Sequence, residues 1–142
     1  MILISHRGNI SGPNPEQENV PDYILQALGN GFDVEVDVWY KEQRWFLGHD
    51  RPEHLIDAQF LENEKIWCHA KNLDALYCLS QLRVTYFWHE NDAATLTSNG
   101  YIWTYPGKKL TPLSISVLPE QSNIWSEEIA GVCSDYIERY NA

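Results

Sequence analysis

Three short stretches in the first fifty residues carry side chains that could do chemistry. Residues 5–8 read Ser-His-Arg-Gly, residues 35–38 read Glu-Val-Asp-Val, and residues 48–50 read Gly-His-Asp. Imidazole accepts and donates protons near neutral pH, guanidinium offers a planar fork to an anion, and carboxylates bind divalent cations. Each stretch alone also fits a solvated surface position, so the strands that carry these side chains decide between the two interpretations.

The alternation along two strand-like runs places polar side chains on a common face. In residues 34–38 the valines lie on one side, and Glu35 and Asp37 lie on the other. Because the buried face needs the valines, the two acids are expected to point toward water or toward a cation. The same alternation in residues 66–71 places Trp67, His69 and Lys71 together.

Apolar β-branched and aromatic runs between turn signals predict eight short strands. They cover residues 2–5, 32–40, 44–48, 65–69, 84–88, 101–104, 113–117 and 131–133. Capping signals predict helices over residues 22–28, 73–82 and 92–97. This alternation favours an α/β architecture.

The connection after residue 40 is too short for a helix. Only residues 41–43 separate two strand patterns, which predicts a hairpin. If its turn centres on the middle residue, Glu35 falls opposite His49. Asp37 then falls opposite Leu47, so two acids and a histidine would share one face.

Composition narrows the classes of protein that fit. A chain of 142 residues suits a single domain over residues 1–142, and a net charge of −10 argues against a nucleic acid partner. Three cysteines without paired spacing indicate reduced core residues. The apolar run at residues 1–4 is too short for a signal peptide or a membrane span. We therefore expect a cytoplasmic protein.

Taken in order, the three stretches resemble the glycerophosphodiester phosphodiesterase family, whose barrel is related to that of phosphatidylinositol-specific phospholipase C. The Pro-Glu-Gln-Glu-Asn run at residues 15–19 is similar to the family's Pro-Glu-Asn-Thr helix entry, with Glu18 and Asn19 matching. The resemblance covers residues 2–50. It continues more thinly in three later runs, at residues 69–71, 103–104 and 134–136.

This resemblance implies a TIM-type (β/α) barrel with its site at the C-terminal mouth of the strands. Such barrels usually need about 250 residues, and this chain has 142. We therefore expect a reduced barrel with about eight short strands and several outer helices shortened or missing. Strand faces left uncovered could be buried against a second copy, which makes a homo-oligomer possible.

The resemblance also implies roles for the basic side chains. His6 and His49 would be the catalytic acid/base pair, and Arg7 and Lys71 would bind the phosphate group. We expect Glu18 to hold Arg7 or another basic group without touching the substrate. The alternatives are ordinary histidines and a solvated lysine at a strand end.

The metal centre implied by the resemblance would use Glu35 and Asp37. Their hard oxygens suit Mg²⁺ or Ca²⁺. Where the family has a third metal-binding glutamate this chain has His69, a softer ligand that suits a transition metal better. Glu90 is the alternative source of the third ligand.

The implied function is metal-dependent hydrolysis of a small phosphodiester. A glycerophosphodiester would give glycerol 3-phosphate and an alcohol. The sequence leaves open whether water or a hydroxyl group of the substrate attacks the phosphorus. Two alternatives stay open as well, a lyase that releases a cyclic phosphate and a degenerate barrel that binds a phosphorylated ligand without turnover.

Overall fold

A computed structural model describes residues 1–122, 124 and 126–141, and in these residues ten strands form one sheet. The strands are β1 (Ile2–His6), β2 (Asp33–Lys41), β3 (Arg44–Leu47), β4 (His54–Ile56), β5 (Ile66–Ala70), β6 (Thr85–Trp88), β7 (Ala94–Leu96), β8 (Ile102–Thr104), β9 (Ser114–Val117) and β10 (Gly131–Ser134). The α-helices are α1 (Pro21–Gly29), α2 (Ala58–Leu61) and α3 (Leu73–Ser80). Two short 3-10 helices cover Pro119–Gln121 and Ile137–Tyr140.

Seven of the strands run parallel in the spatial order β6-β5-β2-β1-β10-β9-β8. The sheet curls around an apolar interior to which six of these strands contribute. That interior contains Ile4, Trp67, Phe87, Trp103, Ile115, Val117 and Cys133. The rings of Phe87 and Trp103, from the two ends of the parallel run, stack with their centroids 4.5 Å apart. The curled sheet of parallel strands therefore agrees with the predicted α/β architecture.

The curled sheet is open between β6 and β8. In the part of the chain described, β6 pairs with β5, whereas β8 pairs with β7 and β9. The gap is bridged by Ser98, whose N–H donates to the carbonyl of Tyr86 (2.9 Å), and by Thr95, whose hydroxyl donates to the carbonyl of Trp88 (2.9 Å). A complete TIM-type barrel stays a prediction.

The α-helices cover only one part of the outer surface. Side chains of α1, α2 and α3 pack against the outward valines of β2 and against β5. Among the described residues three α-helices accompany seven parallel strands. This agrees with the expectation that several outer helices are shortened or missing. Between β8 and β9 the hydroxyl of buried Thr104 donates to that of buried Ser114 (3.1 Å).

The predicted hairpin exists, but its predicted register is wrong by one residue. Val38 pairs with Leu47, so Asp37 does not lie opposite Leu47 and Glu35 does not lie opposite His49. The turn uses two left-handed residues, Glu42 and Gln43 with φ of 54° and 62°, as in type I′ hairpins. This register places Leu47 with the outward valines in the core, whereas a one-residue slip would expose it on the other face.

The predicted helix over residues 92–97 is wrong, because β7 lies there and pairs antiparallel with β8. The N–H of Thr97 donates to the carbonyl of Tyr101 (2.8 Å) and closes a hairpin around Gly100. The Ser-Asn-Gly run at residues 98–100 is the turn signal that indicates this hairpin. The sequence prediction also missed β4, which pairs with β3.

Two further features bear on the predicted class of protein. No helix among the described residues is long and apolar enough to cross a bilayer. Cys68, Cys78 and Cys133 are all unpaired. Burial raises the pKa of the Cys68 and Cys133 thiols, so these two behave as apolar core residues.

Candidate functional site

A cavity of about 440 Å³ opens at the C-terminal ends of the parallel strands. Six of the seven predicted site residues line it: His6, Arg7, Glu35, His49, His69 and Lys71. The seventh, Asp37, is fully buried beside them. The structure therefore brings the whole predicted set to one place.

The alternation along β2 explains how the two acids reach the inside of the sheet. Val34, Val36 and Val38 are fully buried in the outer layer, whereas Glu35 and Asp37 point inward. Parallel pairing of β2 with β5 places Asp37 next to His69. Because Glu35 is only 2% exposed, the interpretation that residues 35–38 form a solvated surface position is wrong.

Glu35, Asp37 and His69 form a cluster whose potential metal ligand atoms all lie within 4.8 Å of one another. His69 Nδ1 lies 3.3 Å from Asp37 Oδ1 and 3.7 Å from Glu35 Oε2. Buried Oε1 of Glu35 and Oδ1 of Asp37 have no hydrogen-bond partner. A buried carboxylate oxygen without a donor is costly, so this cluster needs a positive charge. When no metal ion is bound, protonated His69 supplies that charge.

The orientation of the His69 ring follows from its second nitrogen. Nε2 lies 3.0 Å from the backbone carbonyl oxygen of His89. A carbonyl only accepts hydrogen bonds, so Nε2 carries a proton and Nδ1 faces the two acids. The ring also stacks on Phe87, with centroids 5.0 Å apart. Metal-binding histidines are commonly oriented by such a bond from their other nitrogen.

Asp37 is held by two residues that come before it in the chain. The side-chain amide of Asn19 donates to Asp37 Oδ2 (2.9 Å) and accepts the backbone N–H of Asp37 (3.0 Å). Arg7 Nε lies 3.0 Å from the same Oδ2, and Arg7 also donates to Glu18 (3.3 Å). The expectation that Glu18 holds Arg7 is confirmed by this contact. Oδ1 is the Asp37 oxygen left for another partner.

His6 is oriented by a chain of hydrogen bonds that begins far away in sequence. Its Nδ1 lies 2.7 Å from Oδ1 of Asp135. The amide of Asn9 donates to the same oxygen (2.8 Å), and the hydroxyl of Tyr23 donates to Asn9 (3.0 Å). Since an ionised carboxylate only accepts, Nδ1 of His6 carries a proton. Its Nε2 lies 3.8 Å from Glu35 Oε1.

The charges of the site shift several pKa values. Burial alone would lower the pKa of His69, but the carboxylates of Asp37 and Glu35 that face its ring raise it to about 9. Burial alone would raise the pKa of Asp37, but His69, Arg7 and Asn19 hold it well below its usual range. Burial alone would lower the pKa of His6, but its hydrogen bond to Asp135 and the negative charges of Glu35 and Asp135 together raise it.

His49 and Glu90 lie further out than the cluster. The His49 side chain is 46% exposed, and its Nδ1 lies 2.8 Å from Asp50. Gly48 places it there, since the Gly48 N–H donates to the carbonyl of Asp37 (3.1 Å). Glu90 lines the cavity but is exposed and stands outside the cluster. His69 is therefore the candidate third ligand, and Glu90 is not.

Three residues of the site were given no role in the sequence analysis. Asn19 and Asp135 stand inside runs that resemble the family, so those runs were the signal for them. His89 is buried, lines the cavity and packs edge-on against Tyr105, with ring centroids 3.8 Å apart. Its only signal was its position at the end of β6. Burial and the charge of His69 lower the pKa of His89.

Comparison with known proteins assigns the chain to no family. No protein-family description, no curated protein and no solved structure matches it. The motif resemblance therefore stays a prediction, and the geometry of the site carries the functional argument.

Proposed function

We propose that the chain is a metal-dependent phosphodiesterase that hydrolyses a small phosphodiester. A glycerophosphodiester is the proposed substrate, which would give glycerol 3-phosphate and an alcohol. One observation carries the proposal: a buried cluster of Glu35, Asp37 and His69 opens into the same cavity as two imidazoles, Arg7 and Lys71. That cavity also has a size suited to a small organic molecule.

The donor atoms of the cluster fit a divalent cation. Glu35 Oε1 and Asp37 Oδ1 are buried without a hydrogen-bond partner, and Nδ1 of His69 faces both acids. These three side chains would hold the ion. Bound there, it would neutralise negative charge on the phosphoryl group and lower the barrier to attack on phosphorus.

The basic residues would orient the phosphodiester. An ion pair with Asp37 and a hydrogen bond from Nη1 to Glu18 fix the guanidinium of Arg7. Its remaining donors are available to a phosphoryl oxygen. Lys71 lines the same cavity, where its ammonium would stabilise the charge that develops on the phosphoryl group in the transition state.

The two catalytic histidines have different tasks in this proposal. His49 takes a proton from the attacking hydroxyl as the new phosphorus–oxygen bond forms. The bond to the departing alcohol breaks, and His6 gives its proton to the alkoxide. The raised pKa of His6 suits this donor, because it favours the imidazolium at neutral pH. If the attacking hydroxyl belongs to the substrate, water then opens the cyclic phosphate with the two roles reversed, which restores both histidines and releases glycerol 3-phosphate. If it belongs to water, His49 returns its proton to the solvent and His6 takes one from the solvent before the next turnover.

Phosphorus NMR of the reaction with glycerophosphocholine tests the proposal. Chelated protein resupplied with Mg²⁺, Ca²⁺, Mn²⁺ or Zn²⁺ should release glycerol 3-phosphate with at least one of them. Glu35→Gln should abolish this release, whereas Asp22→Asn, at an exposed position of α1, should not. No turnover with any of the four ions would reject the proposal. A cyclic phosphate as the final product would make the protein a lyase.

The exposure of His49 favours a second candidate function. A side chain that is 46% exposed and paired with Asp50 is less constrained than a catalytic acid or base usually is. The second candidate is a barrel that binds a phosphorylated ligand without turning it over. Calorimetry that shows glycerophosphocholine binding, together with no product in the NMR assay, would favour it.

The same proposal includes a location in the cell and an oligomeric state. A cytoplasmic location agrees with three unpaired cysteines. A homo-oligomer would bury exposed apolar side chains such as Leu55, Leu73 and Tyr77. Both stay predictions.

A further inference from the structure

We propose that the cluster of Glu35, Asp37 and His69 selects a first-row transition-metal dication, such as Fe²⁺, Co²⁺ or Zn²⁺, over Mg²⁺ and Ca²⁺. The inference rests on the proposed function in one respect, because both take the cluster to be a metal centre. It adds the chemical class of the ion, which follows from the type of donor atoms and from how many the chain can supply.

The first argument is the nitrogen donor. Because His69 Nε2 is held by the carbonyl of His89, Nδ1 is the ring atom offered to an ion. Stacking on Phe87 keeps the ring in this orientation. Imidazole nitrogen suits Fe²⁺, Ni²⁺, Cu²⁺ and Zn²⁺, and the affinity of a nitrogen-containing site rises from Mn²⁺ through Co²⁺ to Cu²⁺, whereas Mg²⁺ and Ca²⁺ prefer oxygen.

The second argument is the number of oxygen atoms that Asp37 can offer. Its Oδ2 accepts a hydrogen bond from Asn19 and lies beside the Arg7 guanidinium. Only Oδ1 is left without a partner, so Asp37 acts as a monodentate ligand. Ca²⁺ binds six to eight oxygen atoms, often from bidentate carboxylates. Asp37 does not supply that kind of coordination.

The third argument is that the neighbouring acids are already engaged. Glu18 accepts from Arg7 and from the backbone of Asn14. Asp135 accepts from His6 and Asn9. In the described part of the chain, the metal-binding cluster therefore has two carboxylates and one imidazole, a set poor in oxygen that suits a transition metal with open positions for water or substrate.

Ion binding to the chelated full-length protein tests the preference directly. Titration calorimetry should give Co²⁺ and Zn²⁺ affinities at least about tenfold higher than those of Mg²⁺ and Ca²⁺. In His69→Glu the oxygen-rich site should bind Ca²⁺ more tightly and Zn²⁺ more weakly than the wild type does. His54→Gln, on β4 beside Glu53, is the matched control and should change neither affinity.

A second measurement needs no variant and so does not depend on His69→Glu folding. Pulsed electron paramagnetic resonance of the Mn²⁺-loaded wild-type protein should show coupling to one imidazole nitrogen. Absence of that coupling, equal or tighter binding of Mg²⁺ or Ca²⁺, or loss of Mn²⁺ binding in His54→Gln would each overturn the inference.

The outcomes separate this inference from the proposed function. Tight Zn²⁺ binding, with nitrogen coupling in the Mn²⁺-loaded protein but no turnover of glycerophosphocholine with any ion, would reject the phosphodiesterase and support the metal preference. Turnover with Mg²⁺ together with Zn²⁺ binding no tighter than Mg²⁺ binding would reject the preference and support the phosphodiesterase.

Discussion

Nδ1 of His6 lies 2.7 Å from Oδ1 of Asp135, although 129 positions separate the two residues in the chain. Parallel pairing of β1 with β10 brings them together, since Ser5 lies beside Ser134. In the proposed mechanism Asp135 is a positioning residue. It holds Nδ1 of His6, so Nε2 is the nitrogen that gives its proton to the alkoxide.

Asp135→Asn should lower kcat by roughly 100-fold, within the range that acid/base catalysis contributes. Because Asp135 raises the pKa of His6, the limb of the pH–rate profile that reports the imidazolium should also move to lower pH. Rates measured across pH 5–9, with Asp22→Asn as the control, would show both changes. An unchanged profile would remove Asp135 from the mechanism.

Asn19→Ala should weaken metal binding by about 10- to 100-fold, the range seen when groups that orient metal ligands are removed. The amide of Asn19 both donates to Asp37 Oδ2 and accepts the Asp37 backbone N–H, so its loss frees the carboxylate to rotate. Calorimetry with Mn²⁺ measures the effect. Asn30→Ala, at the exposed end of α1, is a matched control. Wild-type affinity in Asn19→Ala would contradict this role.

His6→Ala and His49→Ala should each reduce turnover by about 10²- to 10⁴-fold while the protein still binds its ion. Neither side chain belongs to the cluster that offers metal ligands. Parallel measurements of kcat and of Mn²⁺ affinity separate the two effects. If His49→Ala kept the wild-type kcat, His49 would only line the cavity, and the mechanism would need another proton acceptor.

The metal-free protein should lose stability as the pH rises through the range in which His69 titrates. The pKa of His69 is 6.5 without its partners and about 9 in the fold. Because the folded state binds this proton more tightly, the stabilisation is complete below pH 6.5 and is lost as the pH approaches 9. Urea denaturation with a chelator present should show a steeper decline for the wild type than for His69→Gln. Equal slopes would contradict the shift.

Much of the sheet could be predicted from local patterns. All eight predicted strand regions contain strands, because β-branched and aromatic runs bounded by turns indicate strands reliably. The inward placement of Glu35 and Asp37 followed from the valines that flank them. Residues 92–97 were assigned to a helix because Asn91 resembles an N-cap, but the segment lacks a helical period of apolar residues.

The parts that could not be predicted depend on contacts between distant segments. The hairpin register was missed because it depends on the left-handed backbone of both Glu42 and Gln43. The hold of Asn19 on Asp37 and the bond between Asp135 and His6 depend on how the strands pair. Nothing in the local sequence around these residues indicates which side chain each one meets.

A crystal of the protein grown with Mn²⁺ would show whether the cluster of Glu35, Asp37 and His69 holds a metal ion. Anomalous diffraction should show a peak bounded by the carboxylates of Glu35 and Asp37 and by Nδ1 of His69. A map with no peak beside these three side chains, at Mn²⁺ concentrations that saturate binding in solution, would mean that the cluster is not a metal centre.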